Sequence, residues 1–242
     1  MTATPVAVAG AGGRMGGAVA RAVETARDLT LAACLPRGGL EADWGGARVL
    51  ADFTAPEATA KLAELAFERR VALLVGTTGL DQAAQAALER AAGRVAVLVA
   101  PNLSPGLAAL RRALRAAIAA LPEYDIEIVE RHHARKVDSP SGTALALARD
   151  AADARGLPFP GALRYGRQGA VGPREAGEIG VHSVRGGGWV GEHTVLLAGA
   201  AETLELSHVA QSRECFVPGA LAALRFLAGA LPGAYSLDDA LG

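Results

Sequence analysis

The sequence is poor in the residues that mark several protein classes. It has two cysteines, Cys34 and Cys215, in no C-x-x-C or zinc-type spacing. One possible pair in 242 residues is no disulfide scaffold, and a reducing cytoplasm fits. Long apolar runs are missing too: none approaches the roughly 18 residues of a membrane-spanning helix. No basic residue precedes the first apolar run, Val6 to Ala9, so no signal segment is read. Neither charge is in excess, with 24 basic against 25 acidic residues and a pI near 6.5. The electrostatic footprint of a nucleic-acid or anionic-membrane binder is therefore absent, and small-molecule partners are expected. The 30 glycines follow no G-X-Y period, and 51% hydrophobic residues with a mean hydropathy of +0.25 exclude a disordered chain. The length allows one large domain or two small ones.

Two further scarcities are informative. Against 55 alanines and 22 arginines there are only two lysines, Lys61 and Lys136, and one asparagine, Asn102. A chain that so consistently uses Arg has reason to keep Lys where a compact, rotatable ammonium does what a planar guanidinium cannot. Lys61 falls in the helical pattern 58–70 and reads as part of a solvated face. Lys136 stands in a polar segment beside two histidines.

The first hundred residues alternate short β-branched runs with alanine-rich periodic runs, the βα rhythm of a parallel sheet. Strands are predicted near 5–9, 30–35, 48–52, 71–75 and 95–99, with helices near 13–26, 56–69 and 80–92. The glycine-rich connection 36–47 is short for a helical crossover and is predicted to be irregular. Beyond Asn102 the pattern predicts a helix at 105–121, a strand at 124–130 and a helix at 142–155. A Gly/Pro-rich stretch follows at 156–178. Strands at 179–185, 189–197 and 203–209 read as an antiparallel meander with one dry face, and Pro218 opens a last helix. The expected organisation is α/β: a parallel-sheet dinucleotide-binding domain over 1–103 and 214–242, and an α+β domain with a mixed, largely antiparallel sheet over 104–213.

Three strand ends carry candidate chemistry. Val6 to Ala9 runs straight into Gly10-Ala11-Gly12-Gly13-Arg14-Met15-Gly16. Glycines there let the backbone turn and approach a pyrophosphate, which the following helix N-terminus favours electrostatically. The third glycine is Gly16, one position later than in G-x-G-x-x-G. Gly76-Thr77-Thr78-Gly79 and Ala100-Pro101-Asn102-Leu103-Ser104 lie at two further carboxyl ends, where such sheets bind ligands. Asp52-Phe53-Thr54 is less distinctive and reads as an ordinary strand end.

The most specific stretch runs from Glu130 to Ala144 and reads E-R-H-H-A-R-K-V-D-S-P-S-G-T-A. On a strand continuing through 133, His132 and His133 would point to opposite faces, which disfavours a shared metal, and none is expected. Instead His132, His133 and Lys136 form a cluster of proton donors beside a helix start capped by Ser141 or Thr143. A carboxylate could sit on that helix N-terminus with Lys136 as counter-charge.

Together with Gly191-Glu192-His193-Thr194 and Glu205-Leu206-Ser207-His208, these segments resemble the 4-hydroxy-tetrahydrodipicolinate (dihydrodipicolinate) reductases of bacterial lysine biosynthesis. The resemblance covers nearly the whole chain and departs mainly in a crossover shortened between Arg37 and Val49. It implies a Rossmann domain completed by the C-terminal helix, an inserted substrate domain with a mixed sheet, a homotetramer, and hydride transfer from NADPH or NADH to a cyclic dicarboxylate. It further implies His132 and Lys136 as acid–base residues, and His133, Gly142 and Thr143 as substrate carboxylate ligands. The implied cofactor residues are Gly10, Ala11, Gly12, Gly13, Arg14 and Met15, then Gly76, Thr77 and Thr78, and Ala100, Pro101, Asn102 and Leu103.

Cofactor preference is read at the end of the second strand. An acidic residue there holds the ribose hydroxyls of NADH, and an Arg pairs with the extra phosphate of NADPH. This chain has Pro36 followed by Arg37, so NADPH is expected to be preferred and NADH still usable. Glu41 and Asp43 in the next loop are alternative acids. Two rival readings are another two-domain NAD(P)-dependent dehydrogenase of amino-acid metabolism and a non-catalytic NAD(P)H-binding sensor. A semialdehyde-type dehydrogenase needs a poised cysteine, whereas Cys34 is placed in a strand and Cys215 before a helix, neither beside an obvious base.

Overall fold

The computed structural model describes residues 3–36 and 38–242. The chain divides into two compact units, Met1–Pro105 with Arg213–Gly242, and Gly106–Ser212.

In the first unit, β1 (Thr4–Ala9), α1 (Arg14–Thr25), β2 (Leu29–Leu35), β3 (Val49–Asp52), α2 (Pro56–Arg69), β4 (Ala72–Val75), α3 (Gln82–Ala92) and β5 (Ala96–Val99) follow the expected rhythm. The strands pair in parallel, in the order β2-β1-β3-β4-β5. Val6 to Ala9, Val49 to Asp52 and Leu73 to Val75 are fully or almost fully buried, as a parallel sheet covered on both faces requires. Because β1 sits between β2 and β3, the winding direction reverses at β1 and β3. Their carboxyl ends therefore flank the crevice where doubly wound sheets take ligands.

The connection from β2 to β3 holds no helix or strand among its described residues. It is pinned by Trp44, which is buried. The Trp44 Nε1–H donates to Leu40 O at 3.0 Å, and the Arg69 guanidinium lies 4.5 Å over the ring while donating to the carbonyls of Glu41 and Ala42. Gly45, at φ +61°, passes so close to β2 that a Cβ would stand 2.5 Å from Ala32 O. Lys61 pairs with Glu41 at 3.0 Å on an exposed face.

In the second unit, α4 (Pro105–Ala120) and α5 (Gly142–Arg155) pack on one face of a sheet ordered β10-β9-β6-β8-β7. Its strands are β6 (Asp125–His132), β7 (Leu163–Tyr165), β8 (Ile179–Arg185), β9 (Gly191–Ala198) and β10 (Thr203–Ala210). Leu114, Ile118 and Leu147 from the helices close on Ile126, Ile128, Ile179, Val195 and Leu197 from the strands. Arg111 and Arg115 converge on Asp150 at 2.6 and 3.2 Å.

The meander expected from 179 to 209 is only partly present. β9 and β10 form an antiparallel hairpin, but β8 does not pair with β9. β6 lies between them, parallel to β8 and antiparallel to β9. Period-two alternation reports which residues face the core, not which strand is the neighbour. This insertion matters for the site, because it makes the polar end of β6 the centre of the sheet.

Returning to the first unit, a short 3-10 turn (Arg213–Phe216) leads into α6 (Val217–Leu227), β11 (Gly233–Tyr235) and α7 (Leu237–Leu241). β11 adds a sixth parallel strand beside β5. β7, β11 and α7 are too short to leave a periodic signal and were not legible in the sequence.

Candidate active site

The glycine turn in the first unit is built by contacts that only glycine permits. Gly10, at φ +80°, could carry a Cβ only at 2.4 Å from Phe53 O, the backbone that follows β3. A Cβ at Gly16 would stand 2.2 Å from Gly10 O. Gly16 therefore supplies the close helix–strand packing that the third glycine of the fingerprint normally provides, one residue later along the chain. A Cβ on Gly12 would meet nothing within 4 Å. The chain itself does not require glycine there, whereas a ligand lying on the backbone would. Gly13 is the N-cap of α1 and makes no side-chain cap, and the first turn holds no acidic residue, so the helix's N-terminal N–H groups suit a pyrophosphate.

A cavity of about 440 Å³ opens at the same strand ends. It gathers Arg14 and Met15 from α1, Gly76 to Thr78 after β4 and Ala100 to Leu103 after β5. Gly10, Ala11, Gly12 and Gly13 form the adjoining turn rather than its lining, and Arg37 lies outside the described residues. Sequence reasoning missed four lining residues: Phe53, Thr54, Arg213 and Phe216. The first two sit in the strand end read as ordinary, and nothing in the local sequence marks the last two. Burial pulls the Arg213 guanidinium below its ordinary value, and the neighbouring Arg14 charge adds to this.

Asp52, fully buried at the tip of β3, organises the cavity floor. Its Oδ1 accepts from Thr54 N at 2.9 Å, Thr54 Oγ1 at 2.5 Å and Thr77 Oγ1 at 3.1 Å, and its Oδ2 accepts from Thr59 Oγ1 at 2.5 Å. The Thr77 hydroxyl is thus turned inward, while Thr78 is exposed. Asn102 Oδ1 accepts from Ser104 N at 2.9 Å and fixes the turn after β5.

In the second unit, β6 alternates so that Ile126, Ile128, Glu130 and His132 share its buried face. Apolar residues fill the middle of that face and the Glu130–His132 pair its end. Glu130 is fully buried. Its Oε1 accepts from Ser141 N at 3.0 Å and Arg185 Nη2 at 2.7 Å; its Oε2 takes Arg185 Nη1 at 2.7 Å and lies 2.6 Å from His132 Nδ1. Burial pushes the Glu130 carboxyl up, but Arg185, His132, Ser183 and the Ser141 N–H outweigh it and hold the pKa at about 2. The carboxylate is ionised, so His132 Nδ1 carries the proton it shares.

His132 is 8% exposed, and its ring meets His193 of β9 edge-on at 5.2 Å. Burial lowers the His132 pKa, Glu130 opposes this, and the charges of Lys136 and Arg185 lower it further. Burial pushes His193 down to about 3. It is neutral near neutral pH, with Nε2 3.1 Å from Ser141 Oγ. Of the two caps considered for α5, Ser141 is the one used: its hydroxyl accepts from Ala144 N at 3.1 Å. Gly142 and Thr143 form the first turn of that helix, which contains no acidic residue. His133 lies just past the strand and is anchored by its N–H on Trp189 O at 2.9 Å. The Lys136 ammonium reaches both Asp138 oxygens, at 2.8 and 2.9 Å. The structure thus brings His132, Lys136, Gly142 and Thr143 into one polar neighbourhood, and adds Glu130, Arg185 and His193 as supports. Glu130 was legible as a same-face neighbour of His132; Arg185 was not, because only the β6–β8 pairing brings it there. A separate cavity of about 370 Å³ under the loop 157–178 contains none of the expected site residues.

A parallel sheet with a glycine turn at its reversal point, together with a second unit presenting a histidine–carboxylate couple and a lysine, defines a two-domain nucleotide-dependent oxidoreductase. The sequence patterns described as "Dihydrodipicolinate reductase, N-terminus" and "Dihydrodipicolinate reductase, C-terminus" match residues 4–103 and 106–241. The chain is 43% identical to the 4-hydroxy-tetrahydrodipicolinate reductase of Caulobacter vibrioides, over 98% of this chain and 96% of that one. It is 42% identical to that of Thiobacillus denitrificans, over 98% of each. It shares its fold with the dipicolinate-bound dihydrodipicolinate reductase of Paenisporosarcina sp. TG-14, with a TM-score of 0.77 over 97% of this chain and 98% of that one, at 23% identity. The chain belongs to the dihydrodipicolinate reductase family.

The glycine contacts separate two effects. Gly16→Ala should lower the melting temperature because its Cβ collides with backbone. Gly12→Ala should leave melting unchanged and weaken NAD(P)H binding at least tenfold. Calorimetric titration and thermal unfolding of both variants check this; equal behaviour of the two would contradict the assignment of the turn.

Proposed function

We propose that this protein catalyses the NAD(P)H-dependent reduction of 4-hydroxy-tetrahydrodipicolinate, by way of dihydrodipicolinate, to tetrahydrodipicolinate. The observation that carries the proposal is the polar end of β6: a buried histidine–carboxylate couple and the scarce Lys136, beside a helix N-terminus suited to a carboxylate. Bound NAD(P)H supplies the hydride. The first turn of α5 at Gly142 and Thr143, with His133, binds a substrate carboxylate, and Lys136 balances its charge by exchanging its Asp138 partner for the substrate. His132 and Lys136 supply the proton that the ring needs as it gains electron density. The semialdehyde-dehydrogenase alternative is disfavoured at Cys215, whose thiol burial pushes up rather than down. Cofactor oxidation on addition of freshly formed dihydrodipicolinate synthase product tests the proposal. No oxidation with either nicotinamide cofactor would defeat it and favour a binding-only sensor.

Lys136→Ala should lower kcat by about 10²–10⁴-fold, raise KM for the dicarboxylate and leave NAD(P)H affinity nearly intact. Arg at this position should rescue only in part, because a guanidinium stays protonated. Near-normal turnover of Lys136→Ala in steady-state assays would remove Lys136 from the chemistry.

NADPH is the preferred cofactor in this reading. β2 ends at Leu35, followed by Pro36, which offers no acceptor, and Arg37, which offers a phosphate fork. The two acids that could substitute are otherwise engaged: Glu41 with Lys61 at 3.0 Å, and Asp43 Oδ1 with Gly45 N at 3.0 Å. Native kcat/KM should therefore be higher with NADPH than with NADH, and Arg37→Ala should selectively lose NADPH activity. Equal or better use of NADH by the native protein refutes this.

We further infer a cytoplasmic homotetramer, with the number four taken from the family resemblance and the contact surface from the second unit. Both helices lie on one face of its sheet, and Val184 and Val209, 39% and 56% exposed, lie on the other. Burying such a face against other copies removes apolar surface from water. Light scattering at micromolar concentration should give four times the chain mass; a monomer would overturn the assembly.

A further inference from the structure

We propose that Glu130, clamped by Arg185, is a positioning residue that fixes His132 in its Nδ1–H tautomer and so makes Nε2 the atom through which His132 exchanges protons. The inference rests on the reading of His132 as an acid–base group and specifies how the fold makes it one.

The geometry leaves little choice. Glu130 accepts from Ser141 N and Arg185 Nη2 on Oε1 and from Arg185 Nη1 and His132 Nδ1 on Oε2, with the Ser183 side chain as a further hydrogen-bond partner. Arg185 and a backbone amide can only donate, so Glu130 can only accept, and the proton between Oε2 and the ring belongs to Nδ1. Nε2 is left with the lone pair. Space is reserved on that side: a Cβ on Gly191 would stand 3.0 Å from Nε2. When Nε2 takes a proton, the imidazolium is balanced by the carboxylate on its other nitrogen; when Nε2 releases it, the neutral Nδ1–H form is restored. Arg185 also donates to Asp138 O at 2.8 Å, so one guanidinium holds both the carboxylate and the loop carrying Lys136.

The charged and titratable groups facing His132 from each neighbouring element act in known directions. Glu130 on β6 favours the imidazolium, whereas Lys136 on the loop and Arg185 on β8 oppose it. Asp138 is tied to Lys136, and His193 on β9, with His208 beyond it on β10, is neutral. Glu130→Gln must place one NH₂ where an oxygen accepted. At the Oε1 position it would confront two obligate donors; at Oε2 it confronts Arg185 and an imidazole that can answer by shifting its proton to Nε2. The variant should therefore reverse the tautomer and move the His132 titration to lower pH. Arg185→Gln removes a cation from the carboxylate and should move that titration to higher pH.

The test is nitrogen-15 NMR of histidine-labelled protein, with His132 assigned by its loss in His132→Gln. Native protein should show a protonated Nδ1 and a bare Nε2, Glu130→Gln the reverse, and the two substitutions should shift the titration midpoint in opposite directions. A bare Nδ1 in native protein, or midpoints that both move the same way or stay put, overturns the proposal. If Glu130→Gln does not fold, the native tautomer and the Arg185→Gln midpoint decide. In the reductase assay kcat of Glu130→Gln should fall by about 10²-fold or more, with its pH limb displaced in the same direction as the NMR midpoint. Because the spectra need no turnover, absence of reductase activity in native protein would refute the proposed reaction while leaving the tautomer assignment standing or falling on its own.

Discussion

The carboxylate of Glu130 is the constraint around which the second unit's chemistry is arranged. A fully buried charge is tolerated only when every lone pair is answered, and here a bidentate guanidinium, a backbone amide and an imidazole answer it. Each partner is thereby held in turn. Ser141 is placed to cap α5, the loop carrying Lys136 is tied down through Asp138, and the imidazole is oriented through Nδ1. A buried ion pair of this kind is weak evidence for stability; its value is that three separate elements, β6, β8 and the start of α5, share one arrangement.

The first unit solves a different problem, that of bringing backbone close to a large anion. It does so by omission: Gly10 and Gly16 let strand, turn and helix touch, and Gly12 leaves the outer surface of the turn open. Asp52 and its three threonines then stiffen the strand ends without placing a side-chain anion at the turn itself. The proposed cofactor turn and the proposed proton-transfer residues therefore lie in separate units.

Much of this was legible in the sequence for reasons that differ by element. The βα rhythm of the first hundred residues, the glycine turn and the capped start of α5, at Ser141 or Thr143, are local patterns, and local patterns survive in a string of letters. The position of β6 between β8 and β9 is not local, and with it went Arg185, whose role exists only because β8 lies beside β6 in that register. His193 was visible within a motif, but its neutral, buried state depends on the neighbouring ring and on Ser141. Phe53 and Thr54 were passed over because a strand end becomes a pocket wall only when the winding reverses beside it. The short β7 and β11 were lost because three residues carry no period.

The central claim is that one chain joins hydride delivery from a bound nicotinamide to protonation by the His132–Lys136 pair. The most direct measurement uses reductively deuterated cofactor in ordinary water, and unlabelled cofactor in deuterium oxide, with product analysed by NMR. The account predicts cofactor deuterium on one ring carbon in the first case and solvent deuterium at a different ring atom in the second, with Lys136→Ala slowing both incorporations together. Cofactor deuterium lost to solvent, or product formed without cofactor oxidation, would contradict it.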